Sequence, residues 1–255
     1  MQFSSTAESY DRFMGRYTTT LAPALADAAG VARGMRVLDV GCGPGGLTRE
    51  LARRVGGENV AAIDPAAQFA AACRERNPGV DARQGVAEEL PWEDASFDVA
   101  LACLVIGFMQ DADQGVREMA RVTRPGGRVA ACMWDIAGGG MTMLRVFWGA
   151  ARELDPDVAG ERARAGVSEG DIAERFAKAG LEDVVHGQLE AQADYADFDD
   201  FWQPFTFGVG PAGQHVAALP DDRRQALREL CRAAVPDGRF SLTARAWYAR
   251  GTVAA

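Results

Sequence analysis

Short apolar runs alternate with helical periodicity through the first half of the chain. Residues 37–40, 60–63, 97–103 and 128–134 are near-continuous apolar stretches of strand length, and 80–83 is a weaker one. Between them, Leu47, Leu51 and Val55 line one face of a helix that Gly56-Gly57 ends. Phe69 and Cys73 stand at i, i+4 after the Asp64-Pro65 stop, and residues 111–122 read as a helix opened by an Asp111-x-x-Gln114 cap. Pro125-Gly126-Gly127 marks a turn before the fifth strand. Near-continuous apolar strands separated by helices imply a parallel sheet covered on both faces. A helix over residues 20–29, with Leu21, Leu25 and Ala28 on one side and Gly30 at its end, precedes the first strand.

The rhythm changes after Trp134. Gly138-Gly139-Gly140 leads into a helix carrying Leu144, Phe147, Trp148 and Ala151, followed by a polar stretch over residues 155–166. Ser168 is placed to cap a helix with Ile172 and Phe176 inward, ended by Gly180. A strand over 181–189, an aromatic-rich segment (Phe198, Phe201, Trp202, Phe205, Phe207), a helix over 221–234 and an alternating strand over 241–249 complete the chain. The last strand reaches the sheet without a βαβ crossover and is expected to lie antiparallel to its predecessor. One domain is expected over residues 1–255: a flap and helix over 1–34, a core over 35–134, and helical cap insertions over 135–167 and 192–238.

Composition narrows the class. The net charge is −9, the pI is near 4.9, and Lys178 is the only lysine, a balance unlike that of a nucleic-acid binder. No apolar run is long enough for a membrane span and the first residues lack a secretion pattern, so a cytoplasmic protein without nucleic-acid or membrane partners is expected. The five cysteines are odd in number and without a C-x-x-C pair, which fits reduced thiols used as small core residues. Cys42 alone lies in a site-like motif, where its slot between two glycines points to steric fit rather than chemistry.

That motif is Val37-Leu-Asp-Val-Gly-Cys-Gly-Pro-Gly-Gly-Leu-Thr48: a strand, a turn with four glycines in six residues, and a helix start. Glycines let a ligand touch the backbone, and a helix start offers unpaired N–H groups. Gly41, Gly43 and Gly46 satisfy the dinucleotide fingerprint G-x-G-x-x-G, and Asp64 ends the second strand where a carboxylate can accept from two vicinal ribose hydroxyls. At this level two cofactors remain open, a nicotinamide dinucleotide and a methyl-donor nucleoside.

Four segments taken together resemble the class I S-adenosylmethionine (SAM) dependent methyltransferases of the small-molecule, type 11-like kind. Asp39 stands two residues before the first glycine, as in that family's D-x-G-x-G-x-G motif, and Asp64 matches its acidic second motif. Ala87-Glu-Glu-Leu-Pro91 with Ser96-Phe-Asp98, and Arg117-Glu-Met with Arg124-Pro-Gly-Gly127, follow in family order. The resemblance implies a Rossmann-like seven-stranded, mostly parallel α/β sheet of order 3-2-1-4-5-7-6 with an antiparallel last strand. It further implies SAM as cofactor and S-adenosylhomocysteine (SAH) as product. By position, Gly41, Cys42 and Gly43 would lie along the amino-acid part of SAM, Asp64 and Pro65 at the ribose, and Ala87 and Glu88 beside the adenine. The Cys103 carbonyl would face the methionine amino group. Asp39 has two readings, bracing the loop or touching the ligand. Gly85-Val86-Ala87 departs from the family's usual G-D-A, leaving the adenine amino group to Glu88 or to backbone.

A sulfonium methyl is already activated, so alignment in a dry site matters more than a strong base, and the family needs no metal. Asp135, after the fifth strand, is a candidate to orient or deprotonate an acceptor hydroxyl or amine, or else to cap the glycine loop behind it. His215 is a candidate general base in a cap loop, whereas His186 reads as structural. Tyr10, Arg16 and Tyr17 are candidates to close over the SAM end, with Arg16 pairing to the methionine carboxylate. Met141, Met143, Phe147, Trp148, Phe201, Trp202, Phe205 and Phe207 exceed what one sheet needs, and some are expected to line a pocket for an apolar or aromatic small molecule. The function expected is methyl transfer from SAM to O, N or C of such a molecule, by a monomer or homodimer. The rivals are an NAD(P)-dependent oxidoreductase and a non-catalytic SAM-binding protein. Replacing Asp64 by Ala is expected to weaken SAM binding at least about tenfold, near 1.4 kcal/mol, in calorimetric titration.

Overall fold

The computed structural model describes residue 8 and residues 11–161 and 163–255. Strands β1 (Val37–Val40), β2 (Val60–Asp64), β3 (Asp81–Gln84), β4 (Phe97–Cys103), β5 (Thr123–Trp134), β6 (Leu181–Tyr195) and β7 (Phe240–Val253) form one sheet ordered β3-β2-β1-β4-β5-β7-β6. The first five are parallel; β7 runs antiparallel to both β5 and β6. The order steps outward from β1 in both directions, β2 on one side and β4 on the other. The carboxyl ends of these strands therefore open on a crevice at the switch point.

Period-two alternation assigns each strand residue to one of two cores. Val37, Val99, Leu101, Ala130 and Cys132 face α1 (Arg16–Ala28) and α2 (Gly46–Val55), packing with Leu21, Leu25, Leu47 and Leu51. Leu38, Val40, Ala100, Ala102 and Ala131 face the other way, against Val116, Met119 and Val122 of α4 (Ala112–Val122) and Ile172 and Phe176 of α6 (Asp171–Lys178). Helix α3 (Ala67–Arg76) follows β2 and sends Cys73 into the first core. Asp111 caps α4 as the sequence predicts, accepting from the Gln114 N–H at 2.9 Å.

Four local features differ from expectation. The Pro125-Gly126-Gly127 segment lies inside β5 as an irregularity, since pairing shifts register between Phe97↔Thr123 and Val99↔Arg128. A side chain at Gly127 would come within 2.7 Å of the Asp98 carbonyl, so the close strand approach requires glycine there. Strand β6 continues to Tyr195 because β7 pairs with it along its full length; its exposed edge-strand face is polar enough to hide the apolar period in sequence. Gly170 at φ +81°, not Ser168, precedes α6, and the Asp171 side chain turns back to accept from the Gly166 N–H. Residues Gly210–Ala218 are a helix rather than a loop.

Between β5 and β6 stand α5 (Thr142–Leu154) and α6. Between β6 and β7 stand α7 (Phe198–Trp202), a 3-10 turn (Gln203–Phe207), α8 (Gly210–Ala218) and α9 (Asp221–Ala233). The aromatic residues of these pieces pack chiefly on one another. Phe147 and Phe205 stack with ring centroids 4.5 Å apart, Phe13 and Phe201 meet Phe205 edge-on, and Tyr195 stacks on Phe240. Phe147 is fully buried at this junction. Truncating it to Ala is expected to cost about 3–5 kcal/mol of stability, read as a lower midpoint in chemical denaturation.

Candidate active site

The site begins where β1 stops. The Gly41 and Cys42 N–H groups both donate to the Ile63 carbonyl on β2, at 2.7 and 3.0 Å, and this pins the turn to the neighbouring strand. Gly41, Gly43 and Gly45 all have positive φ, at +72°, +52° and +96°, as the turn into α2 demands. The glycines do different work. A Cβ at Gly41 would lie 2.4 Å from Val105 after β4, so Gly41 lets two strand ends close on each other. A Cβ at Gly43 would meet nothing within 4 Å and would project into the open cleft.

Asp39 is buried on the α2 side of β1. Its Oδ2 accepts from the Thr48 hydroxyl at 2.6 Å, tying the strand to the helix across the loop, while Oδ1 has no partner among the described residues. Burial pushes the Asp39 carboxyl up to about 7, the Thr48 hydroxyl pulling the other way. Asp64 ends β2 facing the cleft. Its Oδ2 accepts from the Gly43 N–H and its Oδ1 from the Ala66 N–H, both at 2.9 Å, so each oxygen keeps a lone pair for another donor. Pro65 adjoins it on the lining, and Ala87 and Glu88 form the next wall. Glu88 Oε1 accepts from the Gln110 and Asp111 N–H groups at 2.6 and 3.2 Å, holding the segment that leads into α4.

From this end the same cleft runs under α5 and α8. Its far end is lined by Met133, Trp134, Ile136, Leu144, Glu161, Arg164 and the Gly208–Ala212 stretch, with Phe13 and Met14 from the helical turn Asp11–Gly15 at the entrance. Leu104, just past β4, is also on the wall and has φ +64°, a conformation costly for a side-chain-bearing residue.

Several residues singled out by sequence do not reach this cleft. The Arg16 guanidinium binds Asp200 at 2.9 Å, the Asp194 carbonyl at 3.2 Å and lies over the Tyr195 ring. Tyr17 is fully buried with its hydroxyl 3.0 Å from that of Tyr195. Burial and the neighbouring Tyr195 push the Tyr17 hydroxyl far above its ordinary range. Both residues thus fasten α1 to the cap, and from this segment Phe13 and Met14 line the site instead. Tyr10 lies outside the described residues. Asp135 is fully buried: its Oδ2 accepts from Arg245 Nε at 2.8 Å and its Oδ1 from the Gly138 N–H at 2.7 Å. Burial works to raise its pKa, but Arg245 and Gly138 hold the carboxyl below the usual range. Its geometry is the loop-capping one, and it ties β5 to β7.

His215 is on α8, its ring 5.6 Å from that of Trp148, and burial lowers its pKa. Cys42 sits in the first core with its thiol toward the Gly43 carbonyl. Cys103 ends β4 with its Sγ 3.8 Å from that of Cys132, on the sheet face rather than the cleft wall. None of the eight aromatic and methionine residues expected at a pocket lines the main cleft, although Met141 and Trp148 line a second cavity behind it. Glu161 and Arg164, with Gln214 of α8, are polar residues of the far end that sequence reading passed over, and the first two are its charged ones among the described residues. Those two lie in the 155–166 stretch, whose only signal was a run of charges between two helices.

Comparison with known proteins bears on which ligand the cradle takes. The Methyltransferase domain family matches residues 38–131, from β1 through most of β5. That segment is a methyltransferase domain. The ubiquinone/menaquinone biosynthesis C-methyltransferase of Idiomarina loihiensis is 37% identical over 145 residues, 50% of this chain and 55% of that relative. The malonyl-[acyl-carrier protein] O-methyltransferase of Pectobacterium atrosepticum is 32% identical over 152 residues, 57% of this chain and 56% of that relative. The chain thus spans little more than half the length of each. The structure of geranyl diphosphate C-methyltransferase from Streptomyces coelicolor A3(2), in complex with Mg2+, geranyl diphosphate and S-adenosyl-L-homocysteine, shares the fold. It aligns with a TM-score of 0.53 at 16% identity over 99% of this chain and 86% of that one.

The residues of the methyltransferase domain fit SAM. The open face of Gly43 and the spare lone pairs of Asp64 are unfilled by protein groups among the described residues and stand at one end of the cleft, while Asp39, buried behind them, keeps an orphaned Oδ1. Gly43→Ala is expected to keep the fold, at about 1–2 kcal/mol for the left-handed backbone, while lowering SAH affinity at least about tenfold. Gly41→Ala, which meets Val105, is expected to unfold at a lower temperature than Gly43→Ala. For Asp39, the folded protein holds a proton between about pH 4 and 7 that the unfolded chain has released. Stability of the ligand-free protein is therefore expected to fall as pH rises through that window, by up to about 1.4 kcal/mol per unit, and to level off above it. Denaturation midpoints for Asp39→Asn should lack that slope.

Proposed function

We propose that the protein transfers a methyl group from SAM to an oxygen, nitrogen or carbon atom of a small apolar or aromatic molecule and releases SAH. The observation that carries this reading is the continuity of one cleft. The glycine turn, Asp64, Ala87 and Glu88 stand at one end, and an apolar chamber under the cap stands at the other. On this reading residues 135–167 and 192–238 act as the cap of a single domain, and the acceptor enters beneath α5 and α8. Relatives are named for C-methyl and for O-methyl transfer, so the acceptor atom is not set by family.

SAM brings a methyl already activated by its sulfonium sulfur. Asp64 would hold the ribose hydroxyls through its spare lone pairs, Gly43 would let the amino-acid part lie against backbone, and Glu88 with backbone would border the adenine. Asp39 would keep the turn in register through Thr48. Met133, Trp134, Ile136 and Leu144 would exclude water around the reacting atoms, where alignment and dryness supply the rate. No helix among the described residues is long and apolar enough to cross a membrane. A soluble cytoplasmic enzyme, monomeric or homodimeric and without a nucleic-acid partner, completes the proposal.

SAM and SAH are expected to raise the melting temperature, by the equivalent of about 2.7 kcal/mol at a hundred times their dissociation constants, and NAD(H) to leave it unchanged. Stabilisation by NAD(H) alone would overturn the cofactor. Appearance of labelled methyl from SAM in a small molecule of a cell extract, with release of SAH, is expected of the enzyme and not of a SAM-binding subunit without catalysis.

A further inference from the structure

The far end of the cleft holds one carboxylate among its described lining residues, Glu161. Its Oε1 accepts from the indole N–H of Trp148 on α5 at 3.1 Å, which fixes the side chain against the cap. No salt bridge closes on it among the described residues. Arg164 acts on it only through space, with its guanidinium 4.4 Å from the Phe108 ring centroid. Glu161, Ile136 and Leu144 line both the main cleft and the cavity behind it, so the carboxylate stands in the partition between them. Among the described residues, the other charged or titratable groups around it are Arg145 and Arg152 of α5 on the rear cavity, Asp135, which Arg245 neutralises, and His215 across the Trp148 ring. Burial raises the Glu161 carboxyl above its ordinary range, with Trp148 and then Arg164 working against it.

A half-buried carboxylate with no bonded cation among the described residues is costly, and leucine or glutamine would fill this wall at lower cost. Its position beside an apolar chamber, with one oxygen fixed and the other left for a visitor, is the arrangement of a proton acceptor. We propose that Glu161 meets the proton-bearing heteroatom of the methyl acceptor. The acceptor is then an apolar or aromatic molecule methylated at a hydroxyl or amine, and not at carbon. The inference rests on the methyl-transfer reading above. A lone pair on the acceptor's oxygen or nitrogen forms the new bond to the methyl carbon, the O–H or N–H bond on that atom breaks, its proton passes to Glu161 Oε2, and the pair of the broken bond stays on the heteroatom. The pair of the broken methyl–sulfur bond stays on sulfur in SAH, and the carboxyl later releases its proton to water.

The test uses three probes with one apolar body, 4-propylphenol, 4-propylaniline and 4-propylanisole, titrated calorimetrically into the SAH-saturated protein. The phenol, the aniline or both are expected to bind at least about tenfold more tightly than the ether, and which does so distinguishes a hydroxyl acceptor from an amine. Glu161→Leu is expected to abolish that preference while SAH affinity stays within about twofold of wild type. Glu161→Gln keeps a partner for Trp148 should the leucine variant fail to fold. It is expected to cut the preference at least about threefold, because a charged acceptor gives the stronger hydrogen bond. Equal binding of all three probes, binding of none, or an undiminished preference in both variants would overturn the role of Glu161. Failure of SAH itself to bind the wild-type protein would instead overturn the methyl-transfer reading.

Discussion

The Ile63 carbonyl holds the architecture of the site together. By accepting from both Gly41 and Cys42 it stops β1 at the edge of β2 and turns the chain toward α2 at the switch point of the sheet. The turn then needs positive φ at three positions, which is why glycines stand there. It also needs an anchor below, which the Asp39–Thr48 hydrogen bond supplies from inside the core. Asp64, one residue beyond Ile63, reaches back to the Gly43 N–H. The carboxylate facing the cleft is thereby fixed by the contact that shapes the loop, and the turn is preorganised.

Beside this turn the inserted helices extend the first core of the sheet. Phe147, Phe201 and Phe205 pack against one another and against Phe13, while Tyr17 and Tyr195 join α1 to β6 through their hydroxyls. Arg16 and Asp200 close the same junction from outside. The cap thus draws its rigidity from its largest side chains, and the chamber is left to the smaller and more flexible residues between them: Leu144, Ile136, and the Gly208–Ala212 stretch. Glu161 enters that chamber from the polar connection between α5 and α6, and among the described residues it is the carboxylate set within this mostly apolar arch, with Arg164 beside it.

The division between what sequence reveals and what it conceals follows from these contacts. The strands were legible because parallel strands buried on both faces carry continuous apolar runs, so β1 and β4 match their predicted limits. Gly43, Asp64, Ala87 and Glu88 were legible as residues of the cleft wall because a turn in fixed register after a strand constrains residue type at every position. Arg16, Asp135 and His215 reached other destinations for a common reason. Each is a polar residue in the right neighbourhood along the chain, and only the fold shows that Asp200, Arg245 and the Trp148 ring lie closer than the cleft. The eight cap aromatics and methionines carried the period of a helix face, which does not say whether that face meets a cavity or other helices. Glu161 was hidden for the converse reason: its burial comes from tertiary packing of a segment that reads as solvated.

The central claim is that one cleft holds the methyl donor on the glycine turn and aims its sulfur into the chamber beneath the cap. A crystal structure of the protein with SAH measures this directly. The account predicts the ribose hydroxyls on the Asp64 carboxylate, the amino-acid portion against Gly43, and the sulfur facing the chamber lined by Trp134, Leu144 and Glu161. SAH bound elsewhere, or bound with its sulfur turned away from that chamber, would contradict it.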